Sequence, residues 1–239
     1  MRAFDRKVAL ITGAGGGIGR ALAAQLAEQG ASLALCGRSE AKLLESVRLA
    51  EERGTEALVL PGDLADPACP FASVQRTVER FGRLDILINN AGEALSKPFE
   101  EVTLSEYDHL MAVNARAPFL MCQAALPYLR EMKGAILNIG SVVSHKGYPL
   151  QSVYSASKHA LLGFSKALAN EVYKDGVRVH MLSPGGVLTG MVKMARPDLD
   201  PEALILPEEV AEAALFLLTR KTSVIDEIEL HRRGKEPFA

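Results

Sequence analysis

At 239 residues, with 48% hydrophobic and 23% charged positions, the chain can bury one substantial core and does not require a second domain. Its 27 basic and 29 acidic residues leave a net charge of −2, which excludes a global positive field recruiting nucleic acid or an anionic membrane. Cys36, Cys69 and Cys122 show no CxxC pairing and are odd in number, and no signal-peptide-like or membrane-spanning apolar run stands out, so a reducing, cytoplasmic setting is expected.

In chain order, KVALIT (7–12) reads as a first strand and IGRALAAQLAEQG as a first helix, with Ile18, Leu22 and Leu26 at helical spacing and Gly30 as its stop. ASLALC (31–36) is a second strand, Ser39 opens a second helix carrying Leu43, Val47 and Ala50, and EALVLP (56–61) is a third strand. Asp66-Pro67 starts a third helical run that reaches Gly82, followed by the strand LDILINN (84–90). Thr103 and Glu106 have capping-box spacing before a long helical run through Met121 and Leu129. GAILNIG (134–140), a helix from Ser152 to about Tyr173, VRVHML (177–182), a helix opened by Pro207 and ending near Leu218, and the more alternating VIDEIEL (224–230) complete the order. Seven strand signals alternating with six helical signals predict an α/β, Rossmann-like doubly wound fold: a three-layer sandwich on a seven-stranded, mainly parallel sheet, forming one domain over 1–239. The irregular stretch 186–206 is long enough to act as a substrate lid rather than a simple turn.

Strand 1 runs straight into TGAGGGIG (12–19) and then into helix 1. Glycine lets the backbone turn tightly and approach a ligand, and a helix start offers free N–H groups to a pyrophosphate. The spacing Gly13, Gly17, Gly19, with Gly15, Gly16 and Ile18 between them, departs from GxGxxG and also fits a purely structural turn. About twenty residues on, strand 2 ends with Gly37 where a ribose-binding acid would stand, and Arg38 beside it. An arginine there can pair with a 2′-phosphate, which favours NADPH/NADP+ over NADH/NAD+ without excluding the latter; an exposed surface cation is its plainer role. Arg20 and Lys42 could add positive charge. Asp63 can accept from an adenine amino group, and NNAG (89–92) has the small residues for close approach, or forms an Asx turn leaving a strand.

In YSASK, an i,i+4 spacing puts Tyr154 and Lys158 on one helical face, either as a loose surface pair or as chemistry. Ser141 follows the strand AILNIG, at the end where doubly wound proteins place their ligand crevice, although a serine there can simply cap a turn. Around a carbonyl, Ser141 would orient the oxygen and Tyr154 would donate the proton as hydride reaches carbon, while Lys158 would lower the phenol's pKa and reach cofactor ribose hydroxyls. Asn114, in MAVNA, either bonds a helical carbonyl or holds a local backbone opening or an ordered water. The five histidines have no metal-ligand spacing, and the chemistry requires no metal.

Taken together, TGAGGGIG, NNAG, Asn114, Ser141, YSASK and PGGVLT, in order from Thr12 to Thr189, closely resemble the short-chain dehydrogenase/reductase family in its compact single-domain form. The resemblance implies a Ser141, Tyr154, Lys158 catalytic group extended by Asn114 into a proton-relay tetrad. It assigns Asp63 to adenine recognition, Asn90, Ala91 and Gly92 to the cofactor floor, and Val187 and Thr189 to nicotinamide placement, with Leu64, Pro184 and Gly185 also among the cofactor-binding residues. It also implies a homodimer or homotetramer built on the helices that carry Asn114 and YSASK. The chain departs from oxoacyl-carrier-protein reductases at its end, where SVIDEIELHRRGKEPFA replaces their glycine-rich segment and looks more like carbonyl- or hydroxy-acid-reducing relatives.

The expected activity is reversible reduction of a small or medium ketone or aldehyde to a secondary alcohol. A catalytically silent NADP-binding sensor or scaffold, and a dinucleotide-dependent epimerase or dehydratase, are the alternatives. Met191, Met194, Leu199, Leu204, Ile205 and Leu206 are candidates to line the substrate pocket or to pack the lid on the core, and Arg196 and His145 are candidates to meet an acidic substrate group.

Overall fold

A computed structural model describes residues 2–196, 198–220 and 222–234. Its strands are β1 (Val8–Thr12), β2 (Ser32–Gly37), β3 (Ala57–Pro61), β4 (Ile86–Asn89), β5 (Ala135–Ile139), β6 (Arg178–Pro184) and β7 (Glu227–Leu230). All pair in parallel, in the order β3-β2-β1-β4-β5-β6-β7, so the sheet is wholly rather than mainly parallel. The strand order reverses between β1 and β4, and at such a switch point the carboxyl ends of the strands open a crevice.

Side-chain alternation along β1 explains why its run is apolar throughout. Ala9 and Ile11 pack into a core shared with helices α1 (Gly17–Glu28), α2 (Glu40–Glu51) and α8 (Pro207–Leu218). Leu10 faces the opposite core, formed with α3 (Ala68–Phe81), α5 (Ala117–Met132) and α6 (Ser152–Val172). Both cores are sealed by fully buried leucines, such as Leu22 and Leu26 on one side and Leu87 and Leu129 on the other.

Several helix ends follow local chemistry. Ser39 accepts from the Lys42 amide, Gly82 ends α3 in the left-handed conformation at φ 73°, and Thr103 and Glu106 form a reciprocal capping box at α4 (Leu104–Met111). The long run expected beyond Thr103 is not one α-helix. A π-helical segment, Ala112–Arg116, separates α4 from α5 and carries Asn114 at its middle. One inserted residue widens the turn without breaking the apolar pattern.

The irregular stretch after β6 also contains structure that periodicity did not reveal: the six-residue α7 (Gly190–Ala195), capped by Thr189, and a 3-10 turn at Pro201–Ala203. Its base is pinched shut. Val187 bridges Ile205, the Leu188 amide donates to the Ile205 carbonyl (2.8 Å) and the Ile205 amide donates to the Gly186 carbonyl (3.0 Å). No described helix is long and apolar enough to cross a membrane.

Candidate active site

The turn between β1 and α1 is shaped by glycine at specific atoms. Gly13 and Gly17 have φ of +65° and +50°, and a Cβ on Gly19 would strike the Gly13 carbonyl oxygen. Gly16, the N-cap of α1, supplies no side-chain cap, and a Cβ there would meet nothing within 4 Å. The first amides of α1 thus face open space, the arrangement a pyrophosphate requires. Behind the turn, the Thr12 hydroxyl accepts from the Asn90 and Ala91 amides (3.0 Å each), and Asn90 Nδ2 donates to the Thr12 and Gly13 carbonyls (2.9 and 3.2 Å). Thr12 is a positioning residue that the sequence motif contained without advertising.

A cleft of about 290 Å³ opens over this turn. Gly13, Gly16, Gly17 and Ile18 form one wall, and Asn90, Ala91 and Gly92 the floor. Ser141, Tyr154 and Lys158 form the far wall, with Pro184, Gly185, Val187 and Thr189 above. Gly15 and Gly19 stay out of it, Gly15 packed on Lys42 and Gly19 beneath the turn. Arg38, Asp63 and Leu64 edge a separate pocket of about 110 Å³, joined to the floor through Ala91 and Gly92. Arg20 adds no free charge: it donates to the Gly15 carbonyl (2.7 Å) and pairs with Glu45 (2.5 Å), bracing the turn against α2. The residues present therefore fit a dinucleotide lying from the Arg38 pocket, past the α1 amides, to the Ser141–Tyr154 wall.

At the reactive end, the Ser141 hydroxyl hydrogen-bonds the Tyr154 phenol and also accepts from the Val143 amide (3.3 Å), so it caps a short turn and meets the tyrosine at once. Burial pushes the phenol's pKa up and the Ser141 bond only partly offsets it, contrary to the expectation that Lys158 would lower it. Lys158, 4% exposed, instead donates to the Ile139 carbonyl (2.9 Å), and burial drops its own pKa to about 8. The phenol is accordingly held protonated at neutral pH.

Asn114 is fully buried and does not line the cleft. Its side chain grips the backbone of Glu93, accepting from the amide and donating to the carbonyl (2.8 Å each), and donates to Ser157 Oγ (3.0 Å), which in turn donates to the Tyr154 carbonyl (2.8 Å). The π-helical segment thereby ties the cleft floor to the helix that carries Tyr154.

A second cavity of about 230 Å³ shares Ser141, Tyr154, Gly185, Met191 and Val192 with the cleft. Of the proposed pocket residues, Met191 and Leu199 line it. Met194 is 81% exposed, Leu204 and Ile205 are buried, and Leu206 caps α8. Arg196 borders the cavity but is held by Asp198 (2.7 and 2.8 Å), and His145 lies elsewhere, bonded to Glu227 at 2.6 Å. The sequence reading missed Val142, Tyr148, Gln151 and, beyond the last strand, Arg232. Only tertiary packing brings that last residue back to the site. Among the described residues no group of histidine, cysteine or acidic side chains could hold a metal.

The model of the short chain dehydrogenase family matches residues 7–200. Levodione reductase of Leifsonia aquatica is 38% identical over 213 residues, covering 87% of this chain and 79% of that protein. A metagenomic short-chain oxidoreductase solved with NADP superposes with a TM-score of 0.86 at 30% identity, covering 98% of this chain and all of the other. Carveol dehydrogenase of Mycobacterium avium, solved with NAD, gives 0.87 at 25% identity and 97% coverage of each chain. From glycine turn to serine–tyrosine wall, and across the matched sequence, the chain belongs to the short-chain dehydrogenase/reductase family of nicotinamide-dependent oxidoreductases.

Proposed function

We propose that this protein is an NADPH-preferring carbonyl reductase, reversible as a secondary-alcohol dehydrogenase, acting on a small or medium ketone or aldehyde. The observation that carries the reading is the bonded Ser141–Tyr154 pair at the junction of a dinucleotide-shaped cleft and a cavity of about 230 Å³. The levodione reductase and the NADP-bound neighbour agree with it.

A dinucleotide held in the cleft would supply the hydride for the carbonyl carbon. The Ser141 hydroxyl orients the carbonyl oxygen, and the Tyr154 phenol gives that oxygen its proton, which the raised pKa keeps available at neutral pH. Lys158, which donates to the Ile139 carbonyl, would offer its remaining N–H groups to ribose hydroxyls, and Asn114 positions both ends through Glu93 and Ser157. The α1 amides would take the pyrophosphate, Arg38 the 2′-phosphate and Asp63 the adenine amino group. Residues 186–206, of which Pro197 lies outside the described residues, close over the substrate as a lid on a single domain. The assembly is a homodimer or homotetramer, supported by exposed Leu104 and Tyr107 on α4 and Phe119 on α5.

The test is NADPH consumption over a panel of ketones and aldehydes, repeated with Tyr154→Phe. Loss of about a hundredfold or more in kcat with cofactor binding retained is expected. Unchanged turnover would remove Tyr154 as the proton donor.

A further inference from the structure

Arg38 does not stand free in its pocket. Its Nη1 lies 2.7 Å from Glu93 Oε1, and the other carboxylate oxygen, Oε2, lies 2.9 Å from His109 Nε2 on α4. Glu93 follows NNAG directly and edges both the main cleft and the Arg38 pocket. Because Asn114 holds the Glu93 amide and carbonyl at 2.8 Å each, the position of the carboxylate is set by side-chain torsions on a fixed backbone. The negative charge is therefore held at the mouth of the pocket and against the guanidinium.

The two dinucleotides meet this arrangement differently. A 2′-phosphate that takes Arg38 must displace a carboxylate and then rest near it, two like charges around one cation. A ribose 2′-hydroxyl is neutral and leaves the Arg38–Glu93 pair intact. We infer that Glu93 is a specificity-determining residue which competes with the 2′-phosphate for Arg38 and holds NADPH selectivity below what Arg38 alone would give. The inference rests on the assignment of Arg38 to the phosphate. Arg38 is 63% exposed and Glu93 27%, so solvent screens the pair and the effect is modest: roughly fivefold in dissociation constant, the scale of a solvent-exposed ion pair.

The experiment measures dissociation constants for NADPH and NADH by calorimetry at fixed ionic strength, in the parent protein, Glu93→Gln, Arg38→Gln and the double variant. Glu93→Gln is expected to tighten NADPH roughly fivefold relative to NADH, and the gain should fall below about twofold in the Arg38→Gln background, because two groups acting on one partner are non-additive. Equal tightening of both dinucleotides, no tightening, or a gain that survives without Arg38 would overturn the inference. Glu93→Ala serves as a second variant, since the Asn114 clamp holds backbone atoms only. A different result separates the underlying reading: if Arg38→Gln leaves the NADPH/NADH ratio unchanged, the phosphate assignment itself fails, whatever Glu93→Gln does to overall affinity.

Discussion

Replacing Gly19 with alanine should damage the fold as well as the cofactor site, and the size of the damage can be worked from the turn. A Cβ there would strike the Gly13 carbonyl oxygen and lie 2.6 Å from Asn90 Nδ2, about 1 Å inside ordinary contact. Asn90 cannot retreat freely, because the same nitrogen bonds the Thr12 and Gly13 carbonyls. Losing those two bonds costs about 1 kcal/mol each. Overpacking adds about 1–3 kcal/mol, while exchanging glycine for alanine within a helix returns about 1 kcal/mol. The net is a loss of about 2–4 kcal/mol, or about 4–16 °C in Tm for a chain of this size. Gly16→Ala is the control: its φ of 178° suits any residue and its Cβ meets nothing, so the Tm should hold while a methyl group at the open end of α1 weakens NADPH binding. Thermal unfolding followed by circular dichroism, with and without NADPH, reads both. A Gly19→Ala protein melting within about 2 °C of the parent, below the range just worked, or a Gly16→Ala protein losing as much, would refute the reasoning.

Two further outcomes are expected. Lys158→Met should abolish turnover yet raise the Tm at pH 7, because burial penalises the charged amine. The folded-state pKa of about 8 lies below the ordinary lysine value of 10.5, so the parent gains stability as pH rises between those values and the difference between the two proteins should shrink there; a lower Tm for the variant at pH 7 would contradict this. Phe119→Asp should reduce the assembly to a smaller species by light scattering, since Phe119 is 51% exposed and stacks edge-on against Phe164 of α6 at 5.8 Å; a monomeric parent would dismiss the interface.

The strands were legible because a sheet covered on both faces demands apolar residues at consecutive positions, as in VALIT and AILNI. Caps were legible because their partners are three residues apart, as at Thr103 and Glu106. What stayed hidden depends on geometry that local spacing does not encode. The i,i+4 rule placed Tyr154 and Lys158 on one face but could not say that the ammonium would turn to the Ile139 carbonyl. His145, a candidate to meet an acidic substrate group, instead meets the carboxylate of Glu227, 82 residues away. The π-helical segment leaves almost no trace, since Ala112, Val113 and Ala115 continue the apolar pattern across it. Glu93 went unremarked because its contacts are with Arg38, His109 and Asn114, three groups 16 or more residues away from it in the chain.

The clasp between Val187 and Ile205 makes the residues between them a cassette with two neighbouring ends. Loop closure grows costly only slowly with length, so the span can be lengthened, shortened or grafted from a relative while β6 and α8 keep their places. Changes in the walls of the second cavity can therefore be sought by exchanging the part of that stretch beyond Val192, which leaves Ser141, Tyr154 and the cleft-lining Val187 and Thr189 in place.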